Sequence, residues 1–335
     1  MSVKVAQQSI FLDPAPSLAS TATVAGPMEG AGPLGSDFDF LYKDQRAGEK
    51  SFEAAERKML LEACSRALEK GSFGLDTIEY FLSGDLLNQI TVSGYSAAVL
   101  GRPFFGLYGA CSTLALALSL GSMLVAGGFA ANVLAATSSH HSSAERQFRY
   151  PTEYGFQRPP QAQWTVTGAA AAVISATGEG PWITAVTTGK VVDLGEQDSF
   201  NMGAAMAPAA ASTLLRHFEE LQRSPDYYDL IVTGDLGAVG SKLLRQLLGR
   251  SGYYPEDNLN DCGLMIYNPH LQKIGAGGSG CACSGIVVLG HLWRRMKQGE
   301  LNKVLVVSTG ALHSTTTLAQ GETIPAVAHA VALEM

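Results

Sequence analysis

Residues 110–142 read ACSTLALALSLGSMLVAGGFAANVLAATSSHHS, and residues 282–314 read ACSGIVVLGHLWRRMKQGELNKVLVVSTGALHS. Set one above the other, they keep a separation of 172 residues without a gap. Cys111 stands over Cys283, Leu120 over Leu292, Gly127 over Gly299, Thr137 over Thr309, and His141-Ser142 over His313-Ser314. The first copy carries no acidic residue, lysine or arginine between Arg102 and Glu145, and by length 114–136 reads as a membrane span. The second copy places His291, Arg294, Arg295 and Lys297 on the same element, which makes it amphipathic and unfit to cross a bilayer. The pair therefore predicts a buried helix over 111–125, a Gly-Gly turn and a buried strand over 132–137, built twice.

The duplication continues upstream. A short apolar strand at 78–82 runs into Ser83-Gly84-Asp85-Leu86, and another at 230–232 runs into Thr233-Gly234-Asp235-Leu236, here 150 residues apart. The second half thus gains 22 residues before its cysteine, with 253–260 among them. Each half reads strand, Gly-Asp loop, helix, strand, Cys helix, glycine turn, strand and Ser/His loop, a parallel α/β pattern with right-handed crossovers. The division falls at 1–176 and 177–335. Ser51 reads as the N-cap of a helix ending at Gly71, 165–176 and 324–335 as strands, and 206–221 as a helix entered through Ala207-Pro208. Residues 12–47 read as loop, and 145–163 as a polar, aromatic surface excursion.

Composition narrows the function classes. A chain of 335 residues that is 46% apolar has ample core, and a net charge of −7 offers no basic stripe for nucleic acid. Charged residues make up only 16% and glycine is abundant (37), which points to much internal surface or a large buried interface. Five cysteines without a secretory signal suit a reducing compartment. Cys281-x-Cys283 with nearby Cys262 lacks the paired spacing of a closed zinc site, so no metal is expected. Gly277-Gly278-Ser279-Gly280 has no following Lys-Ser/Thr, so no nucleotide and no cofactor is expected either.

The cysteine opening a buried helix in Gly109-Ala110-Cys111-Ser112-Thr113, inside a duplicated α/β chain, resembles the thiolase and ketoacyl synthase superfamily. Longer motifs narrow the resemblance: Gly84-Asp85-Leu86-Leu87-Asn88-Gln89, Ala136-Thr137-Ser138-Ser139-His140, the run from Ala144 to Gly155, Met206-Ala207-Pro208-Ala209-Ala210-Ala211 and Gly277 to Ser284. Together they are similar to the stage V sporulation protein AD family across essentially the whole chain. The resemblance implies a thiolase-like α/β fold, two pseudosymmetric halves forming a layered αβαβα sandwich. It also implies a role in endospore formers, binding dipicolinic acid (pyridine-2,6-dicarboxylate) or its calcium complex and moving it across the spore inner membrane. Since nothing in the sequence anchors the chain, attachment would run through other membrane proteins of the same system, with either face of that membrane open. The superfamily also implies a homodimer through the strand after the nucleophile helix, compatible with the uncharged stretch 114–136.

Condensing chemistry needs an activated thiolate, a base and oxyanion donors. Cys111 supplies the thiol, and a helix N-terminus would favour its thiolate. Its partners are missing: Thr233-Gly234-Asp235 stands where synthases carry a histidine, Ser279 where they carry asparagine, and Thr309 where thiolases carry a second cysteine. The reading is a non-catalytic binding protein in which the Cys111 and Cys283 helix ends converge on a dicarboxylate. Arg146 and Arg149 add charge, Met206 and Phe105 wall the ring, and Asp85, Asn88, His140, Asp235, Ser279 and His313 stand around it. Asp85 and Asp235 repel an anion unless a cation intervenes, and alternatively fix their own turns. Two other readings stay open: a divergent acyltransferase or ketoacyl synthase using Cys111, with His140, His141 or His313 as base, and a structural subunit of a membrane complex.

Overall fold

The computed structural model describes residues 2–148, 158–255 and 258–335. Ten strands carry the duplication: Ser17–Ala25 (β1), Tyr80–Gly84 (β2), Phe104–Gly106 (β3), Asn132–Ser139 (β4) and Gly168–Ser175 (β5), then Trp182–Thr187 (β6), Leu230–Thr233 (β7), Leu259–Asp261 (β8), Lys303–Ala311 (β9) and Ala326–Glu334 (β10). The first five order as β1-β5-β4-β2-β3 and the second five as β6-β10-β9-β7-β8, the same path with five added to each strand. The two sets join through the pairing of Trp182 with Ser17. Pairing directions repeat as well. In each half the last strand is antiparallel to both its neighbours, while the other two pairings are parallel. The wholly parallel pattern expected from sequence is corrected accordingly.

The longer helices are Phe52–Lys70 (α1), Thr91–Leu100 (α2), Thr113–Ala126 (α3), His141–Phe148 (α4), Met202–Leu221 (α5), Gly237–Arg250 (α6) and one (α7) that begins at Cys281–Ile286, passes a π turn at Val287–Leu292 and ends with Trp293–Lys297. Ser51 caps α1 by accepting from Ala54 N at 3.1 Å. The central layer is α3 with α7: α3 touches β4 on one side and β9 and β10 on the other, while α7 lies on β4 and β5. Outside, α1 covers β1, β4 and β5, and α5 covers β9 and β10 with α6 against it. Strand β5 shows why the layers fit. Gly168 to Ser175 are all buried; Ala169, Ala171 and Val173 face the α1 core, and Ala170, Ala172 and Ile174 face the central one.

Several expectations shift. Helix α5 begins at Met202, so Pro208 lies inside it rather than at its entry. Most of the extra length of the second half sits between β8 and α7, over 262–280, rather than at 253–260. Strand β4, the expected dimer strand, is hydrogen-bonded on both sides and cannot meet a partner, and α3 is enclosed between the sheets. Among the described residues no helix is long and apolar enough to cross a membrane, and no group of His, Cys, Asp and Glu could hold a metal ion.

Candidate functional site

Cys111 lies in a tight turn, Ala110–Ser112, that leads into α3. Ala110 takes the left-handed conformation (φ 47°), which costs a non-glycine residue on the order of 1 kcal/mol or more. Two neighbours hold the turn. The Cys281 thiol donates to Ala110 O at 3.0 Å, and Gly310 on β9 packs so closely that a Cβ there would stand 2.3 Å from Gly109 O. The two halves therefore press on this turn from β9 and from the start of α7.

The turn forms the floor of a narrow cleft whose empty space, counted with the solvent at its mouth, is about 460 Å³. Leu86, Ala110, Ala144, Phe148, Met202 and Ala311 supply apolar wall, and Tyr108, Cys111, Thr165, Ser279 and His313 supply polar atoms. His313 is 4% exposed, with its ring centroid 5.7 Å from that of Phe148.

Asp235, fully buried at the end of β7, is the hub of the floor. It accepts from Thr309 Oγ1 (2.7 Å), Ser279 Oγ (2.9 Å) and Gly280 N (3.0 Å), and the Cys111 thiol lies within reach of its charge. Burial raises its carboxyl above the usual range, and burial followed by Asp235 pushes the Cys111 thiol well above its ordinary value. The expected thiolate at a helix N-terminus is thus corrected: a neighbouring carboxylate and a closed apolar environment outweigh the helix end. Asp261 accepts from Thr233 Oγ1 and from the Leu236 and Gly237 amides, and burial raises it to about 6.

The sequence-level candidates divide. Cys111, Ser279 and His313 line the cleft and Asp235 stands behind it. Asp85 does not: it accepts from Leu87 N, Ser93 N and Ser93 Oγ and fixes its own turn and the start of α2, the alternative allowed for it. His140 is structural; its Nδ1 accepts from Ser142 N, leaving Nε2–H to donate to Gln45 O at 2.7 Å, and burial lowers its pKa. His141 stacks on Trp164. Met206 is buried in the second-half core, while Met202, one turn earlier, reaches the cleft because the helix starts sooner. Phe105 is 46% exposed on the edge strand β3 and walls nothing; Phe148 and Leu86 take that place.

Cys283 is wholly buried. Helix α7 begins two residues before it, and the amides there are already used, Gly280 N on Asp235 and Ala282 N on Ser139 Oγ. The second helix end is therefore closed to an anion, and the converging pair of helix ends is corrected. Asn88 and Arg146 border a separate surface cleft, where Arg146 pairs with Glu53 and Asn88 bonds Gln147. Arg149 lies outside the described residues.

Sequence reasoning missed Tyr108, Thr165 and the buried Glu145 that orders it. Thr165 Oγ1 donates to Glu145 at 2.9 Å, and Glu145 also meets Arg158 at 2.9 Å. Tyr108 follows the edge strand by two residues, a signal that the pattern before Gly109-Ala110-Cys111 carries but that was not read.

The fold matches solved condensing enzymes. A variant of OleA from Xanthomonas campestris superposes with a TM-score of 0.62 over 97% of this chain and 99% of that one, at 13% identity. The 3-oxoacyl-[acyl-carrier-protein] synthase III from Aquifex aeolicus VF5 gives 0.58 over 96% and 100%, also at 13% identity. At such identity the likeness establishes the thiolase-like fold alone. In sequence, the chain is 51% identical over 315 residues to stage V sporulation protein AD of Bacillus subtilis (strain 168), covering 94% of this chain and 93% of that one. The family model described as Stage V sporulation protein AD (SpoVAD) matches residues 6–334. With its duplicated fold and its whole length matched, the chain belongs to the stage V sporulation protein AD family.

Proposed function

We propose that the chain is a non-catalytic thiolase-fold protein that binds pyridine-2,6-dicarboxylate, alone or with calcium, and takes part in its movement across the spore inner membrane in sporulation and germination. The observation that carries the non-catalytic half is the partner of Cys111: a buried carboxylate in place of an imidazole. A carboxylate beside a thiol keeps it protonated, the reverse of what acyl transfer requires, while the cleft above it is kept open. The ligand is the one the family resemblance implies, and the lining is compatible with it. Leu86, Phe148, Met202 and Ala311 offer an apolar slot for a flat ring, with Tyr108 and His313 as polar ends. Attachment to the membrane would run through protein partners.

Calorimetric titration with the dicarboxylate, with and without calcium, tests the reading beside Cys111→Ala and a pyridine monocarboxylate control. Saturable binding that prefers the dicarboxylate and is altered in the variant supports it. Covalent labelling of Cys111 by acyl thioesters would install the acyltransferase reading, and silence in both assays a scaffold.

A further inference from the structure

The cleft has a polarity that its residue types conceal. Ser279 Oγ–H donates to Asp235 at 2.9 Å and Thr165 Oγ1–H donates to Glu145 at 2.9 Å. Both hydrogens are committed to buried carboxylates, so the two hydroxyls present lone pairs to the cleft. A dianion entering from above meets Tyr108 and His313 favourably at the mouth but electron density at the base. The hydrogen bonds that the Asp235 carboxylate accepts from the described residues all come from neutral donors, two hydroxyls and an amide. The other titratable groups around it are Asp261 on β8, Cys262 just after β8, Cys283 on α7 and Cys111 itself. None of these brings a positive charge. The nearest ion pair to the cleft, Arg158 with Glu145, is reached through Thr165 and adds no net charge.

We propose that Asp235 is the proton acceptor coupled to ligand binding: as the dicarboxylate dianion binds, one proton is taken up from solvent, settles on Asp235 and reverses the hydrogen bond to Ser279. Once Asp235 is protonated its O–H donates to Ser279 Oγ, while Gly280 N and Thr309 Oγ1 keep their bonds to the carboxyl. The Ser279 hydrogen is then free to turn into the cleft and donate to the ligand carboxylate. One proton is taken from solvent, no covalent bond changes, and the base of the site passes from acceptor to donor. Burial already raises the Asp235 carboxyl, so the step starts from a group predisposed to hold the proton. The inference rests on the cleft being the dicarboxylate site.

The test is calorimetric titration of the full chain with pyridine-2,6-dicarboxylate in EDTA, from pH 6 to 8.5, in two buffers of different ionisation enthalpy. Up to one proton is taken up per ligand, and Kd weakens toward tenfold per pH unit where Asp235 is ionised in the free protein. Asp235→Asn retains its acceptor toward Ser279 and Gly280 and should bind with a flat pH profile. Ser279→Ala should lose affinity at low pH and converge on the parent protein at high pH. Binding with identical heats in both buffers, or an unchanged slope in Asp235→Asn, would overturn the proposal and leave the pocket standing. Binding that needs calcium and takes up no proton would overturn it in favour of a metal as the charge carrier. An absence of binding under every condition would remove the pocket reading along with it.

Discussion

The Cys111 thiol illustrates how far a single position can be read. Its place at the head of a buried helix is evident from Gly109-Ala110-Cys111-Ser112-Thr113, but its chemistry is set by burial and then by a carboxylate 124 residues later in the chain that only the fold brings near. Cys111 should therefore resist iodoacetamide at pH 7–8, and Asp235→Asn should quicken its alkylation, by about tenfold for each unit its pKa falls; quantitative peptide mass spectrometry of the labelled residue measures both. An equal or slower rate in the variant would show that burial alone silences the thiol. His313 was legible from the repeat and Ser279 from the family resemblance, whereas Met206 was misplaced by one helical turn because nothing before Pro208 marks the true start of α5. Asp85 and Asp235 looked equivalent in sequence and are not. The first fixes its own turn, a task that Asp261 takes over in the second half and that leaves Asp235 for the cleft. A third carboxyl was not read at all. Glu56 is buried on α1 beneath Ser138 and Ser143, and burial together with Asp85 raises it to about 8. In an unfolded chain the same group titrates near its model value of 4.5, so the folded state holds the proton more tightly. Its contribution to stability is complete below that value and is lost as pH rises toward 8. Glu56→Gln should flatten the decline in thermal midpoint between pH 5 and pH 8.5 in scanning calorimetry, and an unaltered decline would assign it to other groups.

Elements were more legible than their pairings. The repeat foretold the central helices and the strands after them, since those segments carry the apolar pattern in both copies, and the family resemblance implied the layered fold. The antiparallel role of β5 and β10 was hidden, because hydrogen-bond partners such as Ser17 and Ser175 lie far apart in sequence and a fully buried strand has no alternation to reveal its direction. Glycines mark another long-range constraint. Gly203 on α5 and Gly240 on α6 meet backbone to backbone, and a Cβ on Gly240 would stand 2.6 Å from Gly203 O and 2.9 Å from its Cα. Helix propensity alone favours alanine at position 240 by about 1 kcal/mol. A rigid backbone contact cannot give way as a flexible side chain would, so overpacking should win. Gly240→Ala is expected to destabilise by roughly 1–3 kcal/mol before that gain, with a net fall in midpoint on chemical denaturation. A rise would mean that the two helices can separate without cost.

At the scale of the molecule, one edge of the sheet system is left bare among the described residues. Strand β3 pairs with β2 on one side only, and Phe104, Phe105 and Gly106 are all exposed, with Tyr95 and Val99 of the adjoining α2 and Tyr108 beyond the strand also open to solvent. An unpaired apolar edge invites another strand, and natural edges usually carry charge, proline or a cover that is missing from these three residues. Since β4 is paired on both sides, the homodimer proposed for this chain has β3 as its available strand. Two copies of β3 meeting antiparallel about a twofold axis would continue the sheet from one protomer into the other. Tyr108, 54% exposed and part of the cleft wall, lies two residues past that edge, so the same association would narrow the mouth of the ligand site. The paired substitution Phe104→Lys with Phe105→Lys should convert a dimer to a monomer in sedimentation-velocity runs and weaken dicarboxylate binding several-fold, while leaving the far-ultraviolet circular dichroism unchanged. A parent chain that sediments as a monomer at tens of micromolar would remove the dimer, and a dimer that survives both lysines would move its interface away from β3. Affinity then separates the last two possibilities. A monomeric variant that binds as tightly as the parent would show that each protomer completes its own cleft, whereas coupled loss of dimer and ligand would make the pocket a property of the pair.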